Sequence, residues 1–175
     1  IADVVAIARV SRRTFYEHFA DKADCLLALH AAATGGALRA LQGTVDRSRP
    51  WAPQVEAALG AYFTILGTNP SRLRALFIEI QALGPAGLQA RRRAVQAMAD
   101  FVVEAVLAGR RPAAAARRRI ASLATALVGG IHELIVQAIE ADRADRLVEL
   151  VDPMGALVQA VGATIEAQVA PNPTA

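Results

Sequence analysis

Ser11 to Lys22, SRRTFYEHFADK, is the stretch whose reading decides the fold of this chain. Ser11 has the side-chain oxygen to cap a helix, which places Arg12, Arg13 and Thr14 in the first turn. Tyr16 follows one turn on, and Phe15 and Phe19 stand four apart on an apolar face. Before Ser11, Ala2 to Ala8 carries a second short helical pattern, separated only by Arg9 and Val10. Two short helices joined by a tight turn, the second opening with cations and hydroxyls, describe a helix-turn-helix that presents donors to DNA. Such a pair cannot by itself bury Val4, Ile7, Val10, Phe15 and Phe19, so a helix preceding Ile1 is expected to cover them.

The chain has 175 residues, enough for one substantial core or one core plus a small module. Apolar residues make up 54% but aromatics only 5%, so the core is built mainly from Ala, Leu, Val and Ile. Those residues, without regular strand and turn signals, favour an all-α protein. Net charge is only +3 although the sequence pI is 9.7, so nucleic-acid binding needs a local patch rather than a polycation. Lys22 is the only lysine among 19 Lys and Arg residues. Cys25 stands alone, which excludes an internal disulfide or a multi-thiolate metal site and fits a reducing cytoplasm, the expected location. Its expected role is packing.

Downstream, Asp21 caps a helix expected from Lys22 to about Gln42, with Leu26, Leu29, Ala33, Ala37 and Leu41 as its stripe. Gly35-Gly36 interrupts it, read either as close packing against a neighbour or as a soft point. Asp46 to Pro53, with two prolines around Trp51, reads as a connection and a module boundary, dividing 1–45 from 46–175. Helices follow over Gln54 to Gly67, from Pro70 or Ser71 to Leu83, and over Ala86 to Ala108. A long helix then spans Ala113 to Ala141, with the stripe Ile120, Leu123, Leu127, Ile131, Leu134, Ile135 and Ile139. His132, Glu133 and Gln137 interrupt its apolar run, so a buried helix is expected there, with no membrane partner. The last helix carries Leu147 to Ile165, and Pro153 either kinks it or follows an Asp152 cap; its continuous stripe favours the kink. The tail PNPTA is expected to fray.

The segment from Ile1 to about Leu29 resembles the TetR (tetracycline-repressor-like) transcriptional regulators. That family shows an apolar helix, a turn ending in Val-Ser, a recognition helix of the form TFYxHF, and a Lys opening a long connecting helix. The resemblance covers about a sixth of the chain, and the remainder matches in helical architecture only. The family's turn carries Ala-Gly-Val-Ser; here it is Ala8-Arg9-Val10-Ser11, so Arg9 is expected in a left-handed conformation costing roughly 1–2 kcal/mol. The family's first helix is absent, in line with the burial argument.

Arg12 and Arg13 are the candidates for base contact, since Arg reads guanine O6 and N7, with Thr14 beside them and Ser11 as the cap. The resemblance implies phosphate contacts for Tyr16, His18 and Lys22, each a competent donor. A cation at a helix start opposes the macrodipole by roughly 0.3–1 kcal/mol, which a phosphate opposite Lys22 would explain. Arg91-Arg92-Arg93 and Arg117-Arg118-Arg119 are read as solvated or ion-paired faces. His132-Glu133 lacks the second histidine that a zinc-protease helix needs at Val136, and His30 is read as a hydrogen-bonded core residue. No catalytic constellation or cofactor motif stands out, so neither enzyme activity nor a cofactor is expected.

A small, mostly apolar effector between the helices of the body is expected to meet Tyr62, Phe63, Leu66, Phe77, Ile80, Gln81, Met98, Phe101, His132 and Gln137. The resemblance implies that the last two helices form a four-helix dimer interface. The resulting expectation is a homodimeric, ligand-responsive repressor of palindromic operator DNA. The alternative is a helical small-molecule-binding protein or enzyme without DNA binding.

Overall fold

The computed structural model describes residues 1–46 and 48–169, and among them every regular element is helical. The first helix, α1 (Ala2–Ala8), ends at Arg9, which sits at φ 55° and ψ 40°. The Arg9 N–H donates to the Ala6 carbonyl at 3.2 Å and the Val10 N–H to the Val5 carbonyl at 3.1 Å. That pair of bonds is the usual glycine-type helix stop, here built on an arginine as the sequence indicated. Ser11 then caps α2 (Arg12–His18), its Oγ accepting the Thr14 N–H at 3.0 Å. Val5 and Phe15 are buried between the two helices, and Phe19 is half-buried against Phe15. Val4, Val10 and above all Ile7, 85% exposed, remain uncovered by the described residues.

Asp21 caps α3 (Lys22–Thr44) by accepting the Asp24 N–H at 2.8 Å, while Asp24 in turn accepts the Ala20 N–H at 3.0 Å. The helix continues through Gly35-Gly36 to Thr44, two residues beyond the expected end. Close packing does not explain those glycines, because a Cβ on either would meet only the Arg39 guanidinium of the same helix. The buried stripe keeps Ala37 and Leu41 of the expected one and departs from it at Leu29. His30, Ala37 and Leu41 face inward, and Leu29 is exposed.

The body comprises α4 (Val55–Gly67), α5 (Pro70–Phe77), α6 (Pro85–Leu107), α7 (Ala114–Glu140) and α8 (Val151–Ala167). α3 packs on α4 and α6, α6 on α7, and α8 on α4 and α7. Asn69 caps α5 through its Oδ1, with Pro70 in the first turn. The expected helix to Leu83 instead stops at Phe77, and Glu79–Leu83 forms a tighter 3₁₀ turn. That turn buries Ile80 completely and brings its carbonyl so close to Gly87 that no Cβ fits there.

One core cluster holds Phe63, Leu73, Phe77, Ile135, Ile139, Leu147 and Met154, and a second holds Val106, Leu107, Ile120 and Ile165. Trp51, just before a 3₁₀ turn at Ala52–Gln54, packs on both. Most of the expected α7 stripe lies in these clusters or against them. α7 and the segment Ala144–Ala167 are long and apolar enough to cross a bilayer, and in the fold both contribute buried side chains to the core. Pro153 does not kink a continuous helix; it stands in the first turn of a fresh one, the second of the two readings, without the Asp152 cap. A 3₁₀ segment, Ala144–Leu150, runs straight into α8, and Pro153 falls in the first α-helical turn, where its missing N–H leaves no interior bond unmade. Asp152 makes no cap. The tail PNPTA lies outside the described residues.

Two substitutions test this packing. Arg9→Gly relieves the left-handed arginine and should stabilise the N-terminal pair by about 0.5–1 kcal/mol, read as two- to fivefold slower amide exchange in α1 and α2. Gly162→Ala drives a Cβ into the Trp51 indole, and the urea midpoint should fall by the equivalent of about 1–3 kcal/mol with a shift in Trp51 fluorescence.

Candidate functional site

Two adjoining cavities open among α3, α4, α6 and α7. The larger, about 120 Å³, also reaches α8 and is walled by Leu41, Trp51, Leu59, Phe101, Val106 and Val158, among others. The smaller, about 70 Å³, is walled by His30, Thr34, Ala37, Leu76, Phe77 and Val95, among others. Tyr62, Met98, Val128 and His132 line both, so the two chambers adjoin at these side chains. The first chamber is almost wholly apolar; the second adds the His30 imidazole and the Thr34 hydroxyl to the shared His132.

His132 comes from the middle of α7, and its ring lies 4.7 Å from that of Phe77 at 31°. Its Nε2 is buried without a hydrogen-bond partner. Burial first, then the nearby positive charges of Arg91 and His30, hold its pKa down to about 4 despite the opposing Glu133. It is therefore a neutral imidazole at physiological pH. Tyr62 is pushed up to about 12 by burial and remains a neutral phenol. His30 is also lowered by burial. It is buried as expected, but its side chain makes no hydrogen bond among the described residues, and its ring faces the smaller chamber.

Of the residues expected at the effector, Tyr62, Leu66, Phe77, Met98, Phe101 and His132 line one chamber or both. Phe63 and Ile80 do not, because both are fully buried core. Gln81 is exposed and donates to the Phe77 carbonyl at 2.7 Å, and Gln137 is exposed and donates to Glu133 Oε1 at 3.2 Å. Sequence reasoning missed Leu41, Val45, Trp51 and Val55. A lone tryptophan between prolines was the available signal, since so large an apolar surface has to be covered somewhere.

At the other end of α3, Arg12, Tyr16, His18 and Lys22 are exposed, and none has a hydrogen bond or ion pair within the described chain. Arg13 is exposed too but reaches Glu17 at 3.1 Å. That is an i,i+4 pair of little energetic consequence in solvent, so Arg13 stays available. Ser11 and Thr14 are occupied locally, their hydroxyls 2.9 Å apart. No family model matches the chain, and neither a curated protein nor a solved structure matches it. The reading of both surfaces accordingly rests on their own chemistry.

The neutral state of His132 has a measurable consequence. Between its ordinary pKa of 6.5 and about 4, the unfolded chain takes up a proton that the folded chain refuses. Stability is fully present above pH 6.5 and lost as pH falls through that window, by up to about 3 kcal/mol from this residue. His30 acts in the same direction. Urea midpoints at pH 7 and pH 4.5 should differ accordingly, and His132→Gln should shrink the difference; an equal difference in the variant would assign the effect to other groups.

Proposed function

We propose that the chain is a ligand-responsive DNA-binding regulator of the TetR type, acting as a homodimeric repressor. In this reading residues 1–45 form a helix-turn-helix module with its connecting helix, and residues 46–175 an effector-binding and dimerisation domain. The carrying observation is the span of α3. The helix that opens with Lys22 beside exposed α2 also supplies His30, Ala33, Thr34 and Ala37 to one chamber and Leu41 to the other. A ligand that fills either chamber presses on the same rigid element that sets the position of α2.

The DNA-facing chemistry follows from the exposed donors. Arg12 and Arg13, with Thr14 beside them, stand at the start of a capped helix, the end that enters a major groove, while Tyr16, His18 and Lys22 are placed for phosphates. Exposed Val148 and Leu157 give the last helical segment apolar surface for a two-fold partner. Effector binding favours a state in which the paired α2 helices no longer match adjacent turns of the operator, and it shifts the population only by its differential affinity for the two states. Gly35-Gly36, where a Cβ would meet only the Arg39 guanidinium of the same helix, lies within the chamber wall, between Thr34 and Ala37.

Selection from a random DNA pool, followed by a salt titration on the enriched site, tests the reading. The wild type should lose affinity steeply with salt, and Lys22→Ala should flatten the log–log slope by about 0.9, the share of one phosphate. Arg12→Ala should cost about 1–3 kcal/mol and relax the preference at one base position. Failure to enrich any sequence would sink the regulator and leave the alternative of a helical binding protein that does not touch DNA.

A further inference from the structure

The two buried nitrogens without partners belong to one place. Among the described residues, the buried side-chain nitrogens that lack a hydrogen bond are His132 Nε2 and Arg91 Nε. His132 lines the smaller chamber. Arg91 stands on α6 three, four and seven residues before Ala94, Val95 and Met98, which line that same chamber, so it lies on the face of α6 turned towards it. The Arg91 charge is also felt at His132, which places the guanidinium nearby.

No anion within the described chain answers this charge. Among the described residues, ion pairs join Arg13 to Glu17, Arg110 to Glu166 and Arg146 to Glu149, and none of these involves Arg91. The carboxylate that acts on His132 is Glu133, which is exposed and already accepts from Gln137. The chamber thus gathers two imidazoles and a threonine hydroxyl, with no acid of its own, and Arg91 stands beside its lining on α6 with Nε buried and unpartnered. An arginine donor left half out of water and unpaired is costly, and the partner that suits it best is a carboxylate. The larger, apolar chamber adjoins it at the shared side chains of Tyr62, Met98, Val128 and His132.

We propose that the two chambers take one amphipathic acid, its apolar body in the larger chamber and its carboxylate in the smaller, received by Arg91 Nε and His132 Nε2. This rests on the chambers being the effector site and adds the chemical class of the effector. The volumes of about 120 and 70 Å³ suit a medium-chain or single-ring acid rather than a long lipid. The neutral imidazole of His132 donates one hydrogen bond, and Arg91 supplies both a second and the compensating charge.

Octanoate, 1-octanol and octylamine share one body and differ in the head, and Trp51, the only tryptophan, reports on the larger chamber. Titration followed by Trp51 fluorescence and calorimetry should give octanoate at least a tenfold advantage over octanol, with octylamine weakest. Arg91→Gln, on a half-exposed residue outside the core clusters, should bring octanoate within about threefold of octanol and leave octanol binding unchanged. His132→Gln should reduce the advantage further. Equal binding of octanoate and octanol by the wild type, an advantage that survives Arg91→Gln, or binding of none of the three overturns the inference. Repeating the titrations with operator DNA bound separates it from the regulator reading. Octanoate that passes every test without changing DNA affinity retains the acid site and removes the effector role. Octanol that binds as well as octanoate and releases DNA retains the effector role and removes the acid site.

Discussion

The indole of Trp51 lies on bare backbone at Gly162, and the body is assembled around that contact. A methyl group at position 162 has no room, so α8 approaches the ring more closely than any other residue there would permit. The same ring packs on both core clusters and forms part of the wall of the larger chamber. Core cohesion and cavity shape therefore share one side chain. Filling the chamber and packing the core are not independent operations in this molecule.

Against that apolar framework the polar groups of the smaller chamber stand out energetically. Burying an imidazole without a hydrogen bond costs more than burying a phenyl ring of similar size, because the lost water bonds are not replaced. Phe77 stacks beside His132 and stabilises the ring, but it cannot satisfy the nitrogen. A site of this kind has its lowest free energy when something with an acceptor occupies it. Mass action then couples occupancy to the stability of the whole body.

What the residues disclosed, and what they did not, divides along physical lines. Caps are local: Ser11 and Asp21 each bond an amide three residues on, so their positions alone placed two helix starts. The 3.6-residue period of α7 was equally legible, and the left-handed Arg9 was expected because it stands where the resembled turn carries glycine. Leu29 was misplaced on the buried stripe because adjacent residues on a helix differ by only 100° in direction, and the packing of α4 and α6 decides that its neighbour His30 turns further inward. The break at Ile78 depends on the fit of Ile80 against Gly87, a contact between elements that no local pattern encodes. Cavities are harder still. They exist where side chains from four or five helices fail to meet, so Phe63 and Tyr62 are neighbours in sequence yet one is core and the other a chamber wall.

The unbroken length of α3 sets a scale for how little motion would suffice. From Leu41 at the chamber wall to Lys22 at its start, the helix measures about 28 Å at 1.5 Å per residue. A rigid rod of that length, tilted by about 5° at the chamber, would carry Lys22 sideways by about 2.5 Å, close to half a helical turn. In a two-fold pair the displacements would be mirrored, so the separation between the two copies of Lys22 would change by about twice that amount. A shift of a few tenths of an ångström in side-chain packing around the ligand is thus geometrically amplified before it reaches the far end.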